Sequence, residues 1–283
     1  MQNTAFIINP FSAKKNYQPF LNQLKKKVEN PLYYISESVE GTEDFIREHF
    51  DDVDIFVAIG GDGTISVVAK SLINTEKILA IFPAGSGNGF SNETNFNKNL
   101  DTLLEKIRIG KTRKIDTFTV NGNLSINVSG TGFDGKVAKK FEKTRRGFAN
   151  YIKVSISTFL NYKPVKIKFL TEEFQKHNGK YLMLNVANTR QFGNNAYIAP
   201  MASKSDGLVD LVLVKKFPLA YSLFFAYRMF TKQLKDDEYV TYLPVSEAEF
   251  KVNTKTWHID GEFKKIPSPV AIKVLPASLK ILI

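Results

Sequence analysis

Roughly the first 115 residues of this 283-residue chain repeat one pattern: a short apolar run, a loop of small or polar residues, then a helix-like stretch. TAFIIN (residues 4–9) reads as a strand and YQPFLNQLKKKV (17–28) as an amphipathic helix with Phe20, Leu21, Leu24 and Val28 inward. PLYYIS and EDFIREHF repeat the pair, as do DIFVAI and TISVVAKSLI, and ILAIFP adds a fourth strand. Strands alternating with helices build a parallel sheet from βαβ units, and such sheets bind ligands outside the carboxyl ends of their strands. After Asp116 the texture changes: TFTVNGNLSINVSG carries an Asn121-Gly122 turn between two alternating runs, a hairpin signal. KPVKIKFL, KYLMLNVAN, GLVDLVLVKK, EAEFKVNT, TWHIDGEF and VAIKVLP follow as strands, with helices expected at 147–160 and 218–235. The expectation is an α/β domain with a parallel sheet over 1–117 and a mostly antiparallel β domain over 118–283. Roughly the last ten residues are candidates for packing back on the first domain.

The loops at the strand ends carry the chemistry. Gly60, Gly61, Asp62, Gly63 and Thr64 stand where a buried strand hands over to a helix. Glycines there let backbone N–H groups close on an anion, and the helix points its positive end at the same spot. Asp62 would repel a phosphate unless it meets it through Mg²⁺ or holds the network that does. A structural tight turn accounts for such a glycine cluster equally well. PAGSGNGF repeats the design after the next strand with Pro83, Gly85, Ser86, Gly87, Asn88 and Gly89, and INPFSAKKN places Asn9, Ser12, Lys14 and Lys15 at the same edge. Neither the P-loop nor the G-x-G-x-x-G dinucleotide pattern fits, so the reading is a nucleotide or phosphate site of another kind.

Farther on, Asp260 and Glu262 flank Gly261 in WHIDGEF. Paired carboxylates beside a nucleotide suit a general base, and an ordinary Asp-Gly hairpin with a solvated glutamate produces the same residues. Asp206 and Asp210 alone read as a hairpin. His49, His177 and His258 lack metal-ligand spacing, which argues against zinc, and Ser125 and Ser129 lack a nucleophile-elbow context. Leu219, Leu223, Ala226, Tyr227 and Phe230 recur at helical spacing and read as a core stripe, which Phe224, Phe225 and Met229 widen. A membrane-touching helix is the second reading, given Lys215, Lys216, Arg228 and Lys232 nearby.

Composition narrows the partners. The net charge of +11 asks for an anionic partner, and without a nucleic-acid module a membrane surface is preferred to nucleic acid. The basic residues cluster at 25–27, at Lys136, Lys139, Lys140, Lys143, Arg145 and Arg146, and at Lys163, Lys166 and Lys168. With no cysteine, disulfides and thiolate metal sites are excluded. The first residues show no secretory pattern, and the longest apolar stretch, 217–230, is too short to span a bilayer.

Taken together, the motifs resemble the diacylglycerol kinase catalytic-domain family, the soluble lipid kinases related to sphingosine and ceramide kinases. INPFSAKK is similar to N-P-x-S-G, IGGDGT to the family hallmark, and PAGSGNGF to P-x-G-[TS]-x-N. RKIDTF, NVSGTGFDGKV, NTRQFGNNAYIAPMASKSDGLVDL and IDGE follow in the family's order. GGDGT alone is shared with NAD kinases. The resemblance implies ATP held by Asn9, Pro10, Phe11, Ser12, Ala13, Ser36, Gly60, Gly61, Asp62, Gly63, Thr64, Gly85, Ser86 and Asn88. It implies Asp260 or Glu262 as base on a lipid hydroxyl, with Asp62 also in the catalytic set, and Mg²⁺ at Asp206 with the backbone oxygens of Ser203 and Leu208. The expected setting is cytoplasmic, at the inner membrane face, and the oligomeric state stays open, a dimer included.

Three departures stand out: Ala13 replaces the glycine of N-P-x-S-G, Ser66-Val67 replaces Asn-Glu, and Gly89 replaces an aspartate. The last two remove acids from the Mg²⁺ network, so a weakly active or inactive lipid- or nucleotide-binding protein is one alternative. A sphingoid-base or ceramide kinase and an NAD kinase are the others. Lys136, where sphingosine kinases place an acid for the lipid's ammonium, favours a neutral lipid such as diacylglycerol.

Overall fold

The computed structural model describes residues 3–12, 17–85, 87–141, 144 and 148–283, the side chains of 148, 149, 151 and 152 aside. The chain divides into two compact units, 1–115 with 277–283, and 116–276.

In the first unit β1 (Thr4–Ile8), α1 (Gln18–Lys27), β2 (Leu32–Ile35), α2 (Val39–Glu48), β3 (Ile55–Gly60), α3 (Asp62–Leu72) and β4 (Ile78–Pro83) alternate, followed by α4 (Gly89–Glu93) and α5 (Leu100–Ile109). The strands are parallel in the order β2-β1-β3-β4. Every residue of β3 is buried, as a strand with helices on both faces requires. From β1 the chain winds first to β2 on one side and then to β3 on the other. The order therefore reverses between β1 and β3, and a crevice opens at their carboxyl ends.

The second unit takes in the end of β5 (Thr112–Val120), then β6 (Asn123–Ser125), β7 (Val128–Gly132), α6 (Phe133–Phe141), α7 (Phe148–Phe159), β8 (Val165–Phe169), β9 (Gly179–Tyr181), β10 (Met183–Ala187) and β11 (Val209–Val214). After these come α8 (Leu219–Phe230), β12 (Val240–Val245), β13 (Glu247–Val252), β14 (Thr256–Ile259), β15 (Glu262–Lys265) and β16 (Val270–Leu282). One antiparallel sheet runs β12-β11-β10-β7-β14-β15, and β16, β13, β8 and β9 pair antiparallel in a second. The alternating burial of β8 and β13 turns one face inward, where Phe169 and Phe250 meet Trp257 of the first sheet in one core. The last residues of β16 belong to the first unit, where Lys280 and Ile281 pair with Ile78 and Leu79 of β4.

The expected helices at 147–160 and 218–235 are α7 and α8, whereas α4, α5 and β12 are not among the elements the sequence indicates. The stripe expected to be core on α8 is a correction: Leu219, Leu223, Tyr227 and Phe230 are exposed, and the helix buries Phe225 and Arg228 instead. Apolar residues run nearly all round this helix, so spacing does not say which side finds a partner.

Candidate functional site

In the first unit the strand ends are tied together. Asn9 N–H donates to the Ile59 carbonyl at 3.0 Å, and Ala84 N–H donates to the Gly60 carbonyl at 2.8 Å. Asn9 Nδ2 donates to Thr64 Oγ1 at 2.8 Å, which closes the crevice between β1 and the first turn of α3. Gly60 has no Cβ because the Thr64 side chain fills that place. A Cβ on Gly85 would lie 2.5 Å from the Gly61 Cα, so the two glycine loops touch backbone to backbone. The described residues thus bring Asn9, Gly60, Gly61, Thr64, Gly85 and Asn88 into one cradle at the N-terminus of an 11-residue helix. Backbone donors and a helix's positive end suit phosphate oxygens. Asn88, left-handed at φ 51°, donates from Nδ2 to the Gly85 carbonyl at 2.9 Å, and its buried Oδ1 meets no donor among the described residues.

Asp62 holds the cradle's shape. Its carboxylate accepts from Gly89 N–H and Phe90 N–H, each at 3.2 Å, and so binds the start of α4 to the start of α3. Burial pushes its pKa up, and the Gly89 and Phe90 N–H groups pull partly against that. Gly63 sits beside it in the first turn of α3. Ser36 lies one strand over, its N–H on the Ile8 carbonyl at 2.8 Å and its Oγ 2.7 Å from Thr42 Oγ1. Pro10, Phe11 and Ser12 form the turn after β1; Asn9 Oδ1 accepts from Phe11 N–H at 2.9 Å, and the Phe11 ring is exposed. Ala13 and Ser86, expected at this site, lie outside the described residues, as do Lys14, Lys15, Lys143, Arg145 and Arg146.

In the second unit the turn between β14 and β15 separates two carboxylates by environment. Asp260 and Gly261 take φ values of 49° and 90°, a tight hairpin that turns the Asp260 side chain inward. Its Oδ1 accepts from Ser125 Oγ at 2.6 Å and Asn127 N–H at 2.9 Å, and its Oδ2 from Ile126 N–H at 3.1 Å. Glu262 is exposed. Beneath the turn lies a buried network absent from the sequence-derived residue set. Gly261 N–H donates to His258 Nδ1 at 3.2 Å, which leaves the ring hydrogen on Nε2, 3.1 Å from Asp134 Oδ2. Asp134 also accepts from Asn185 Nδ2 and, at 2.7 Å, from Gly135 N–H. Gly130 is obligatory, since any Cβ there would overlap the Asn185 amide and the Asp134 carboxylate. The one sequence signal for this network is the G-F-D of NVSGTGFDGKV; its other partners, Asn185 and His258, come from β10 and β14.

The expected Mg²⁺ residues lie in the long connection between β10 and β11. Asp206 Oδ1 accepts from Leu208 N–H at 3.1 Å, Ser203 Oγ accepts from Ser205 N–H at 3.4 Å, and buried Asp116 Oδ2 takes Gly207 N–H at 2.7 Å. Among the described residues no three His, Asp or Glu side chains converge as a metal cluster. One carboxylate with carbonyl oxygens is an all-oxygen donor set of the kind a hard, partly hydrated divalent cation accepts. Nearby, burial, with the charges of Asp206 and Asp236, pushes the Asp210 carboxyl up to about 6.

Residues 3–120 match the family model of the diacylglycerol kinase catalytic domain, and residues 127–283 match that of the YegS C-terminal NAD kinase beta sandwich-like domain. The chain is 26% identical over 281 residues to a diacylglycerol kinase of Bacillus subtilis, covering 93% of this chain and 90% of that one. A probable lipid kinase YegS-like of Pseudomonas aeruginosa is 33% identical over 164 residues, 56% of this chain and 53% of the relative. The fold is similar to a crystal structure of a putative diacylglycerol kinase from Bacillus anthracis, with a TM-score of 0.76 over 99% of this chain and 96% of that one at 19% identity. With matching models along nearly its whole length, the chain belongs to the diacylglycerol kinase and YegS-like family of lipid kinases.

Proposed function

We propose that this protein transfers the γ-phosphate of ATP to the hydroxyl of a membrane lipid, with diacylglycerol as substrate and phosphatidic acid as product. The observation that carries the reading is the cradle of Asn9, Gly61, Thr64 and Gly85 at the sheet's switch point, which suits a polyphosphate. Diacylglycerol is favoured by the likeness to the Bacillus subtilis enzyme and by exposed Lys136, which would repel a sphingoid ammonium.

The lipid hydroxyl oxygen attacks the γ-phosphorus, the bond to the ADP oxygen breaks, and the hydroxyl proton passes to a carboxylate. Glu262 takes that proton, since Asp260 is committed to three donors and holds the turn that presents it. Asp62 acts by keeping the two glycine loops together. A Mg²⁺ ion would be held by Asp206 and the carbonyls of Ser203 and Leu208, where it supplies fixed positive charge that steadies the connection. The enzyme works at the inner face of the membrane, to which its charge of +11 draws it.

The test is ³²P transfer from labelled ATP to mixed micelles of diacylglycerol, sphingosine or ceramide, and to NAD, with Glu262→Gln as control. Labelled phosphatidic acid, lost in the variant, is expected. Label on another acceptor reassigns the substrate. ATP binding without any labelled product would sink the kinase reading and point to the acids absent at Val67 and Gly89.

A further inference from the structure

The exposed side of α8 is apolar along its whole length. Exposure runs from 40% for Phe230 to 80% for Leu223, with Leu219, Phe224 and Tyr227 between. The helix is held this way from beneath. Phe225 packs on Phe217 with ring centroids 5.0 Å apart, and buried Arg228 bonds Asp237 at 2.5 Å and the Gln233 carbonyl at 3.1 Å. Phe217 also stacks on Phe159 at the end of α7, centroids 5.4 Å apart, and there Ile156 and Leu160 are themselves exposed. Exposed Lys163 follows α7, exposed Lys215 and Lys216 precede α8, and exposed Lys232 and Lys235 follow it. The acids nearby are fewer: Asp236, Glu238, and Asp237, which Arg228 holds.

We propose that the exposed side of α8, with the end of α7, is a docking face for an anionic lipid bilayer. The proposal rests on the reading of the protein as an enzyme of membrane lipids and names the surface that meets the membrane. A 12-residue helix is about 18 Å long, too short to cross a bilayer and suited to lie in its interface. Leu223 and Phe224 would enter the acyl boundary, Tyr227 would sit at headgroup level, and the lysines would reach anionic phosphates. A second copy of the chain is disfavoured as occupant, because it would bring the same lysines and another +11 of charge against them.

The experiment is sedimentation with vesicles, in the absence of ATP and of any lipid substrate, so its result is independent of catalysis. Vesicles of phosphatidylcholine alone are compared with vesicles containing one third phosphatidylglycerol. Leu223→Glu tests the apolar side, and Lys215→Glu with Lys235→Glu tests the charge; all three side chains are exposed, and unchanged melting curves check the fold. The wild type is expected to sediment with the anionic vesicles, and each variant to lose about tenfold or more of its affinity. Wild-type protein that stays in solution, or variants that bind as well as it does, would overturn the proposal. So would a wild-type dimer that Leu223→Glu splits while vesicle binding is unchanged.

Discussion

Glu262 and Asp260 stand two residues apart and meet opposite environments. Replacing Glu262 with Gln keeps shape and removes the proposed proton acceptor, so kcat should fall about a hundredfold to ten-thousandfold while ATP affinity, read by titration calorimetry, stays the same. Asp260→Ala instead strands the Ser125 hydroxyl and the N–H groups of Ile126 and Asn127. It should lower unfolding stability by about 3 kcal/mol in urea, which Glu262→Gln does not. Asp206 offers a test without turnover: Mg²⁺ should raise the melting temperature of the wild type by a few degrees, and Asp206→Ala should abolish that shift. The D-G-E turn was legible because Asp-Gly at a strand junction announces a hairpin. What separates its two carboxylates was not, because the three donors that capture Asp260 lie more than 130 residues upstream. The Asp134–His258 pair was hidden for the same reason, with 124 residues between its members.

At the scale of elements, strands flanked by helix-like stretches were legible because a parallel strand buried on both faces is apolar without interruption, as β3 is. Its glycine-rich exit was legible too, since close backbone approach leaves few residue choices. Gly85 makes the point testable. Gly85→Ala would force its Cβ to within 2.5 Å of the Gly61 Cα and push the two loops apart. ATP binding should weaken about tenfold or more by calorimetry, with near-native circular dichroism. The short α4 escaped notice because it is held by Asp62, 27 residues earlier, rather than by a capping residue of its own. On α8 the sequence carries the helical period but not the buried side. Arg228 is the reason: its guanidinium, tied to Asp237, Tyr221 and the Gln233 carbonyl, anchors a side of the helix that a count of apolar residues would turn outward.

At the scale of the whole molecule, the chain visits its first unit twice. Ala277–Ile283 return to it after the second unit is complete, and within them Leu279, Ile281 and Leu282 are fully buried. Three such side chains contribute about 1.5–3 kcal/mol each. Their sum is comparable with the ~5–15 kcal/mol that stabilises a whole domain. The second unit loses nothing of its core by their removal, since the cluster around Trp257, Phe250 and Leu184 draws on residues 118–274 alone. A chain ending at Pro276 should therefore keep the second unit folded and lose the first. The single tryptophan makes the two outcomes separable, because Trp257 belongs to the second unit and is wholly buried there. Its emission should remain blue-shifted while the helical signal of α1, α2, α3 and α5 falls in circular dichroism and ATP binding disappears. If emission and helical signal are lost together, the second unit depends on the first to fold; if neither changes, the returning strand contributes far less than its burial implies.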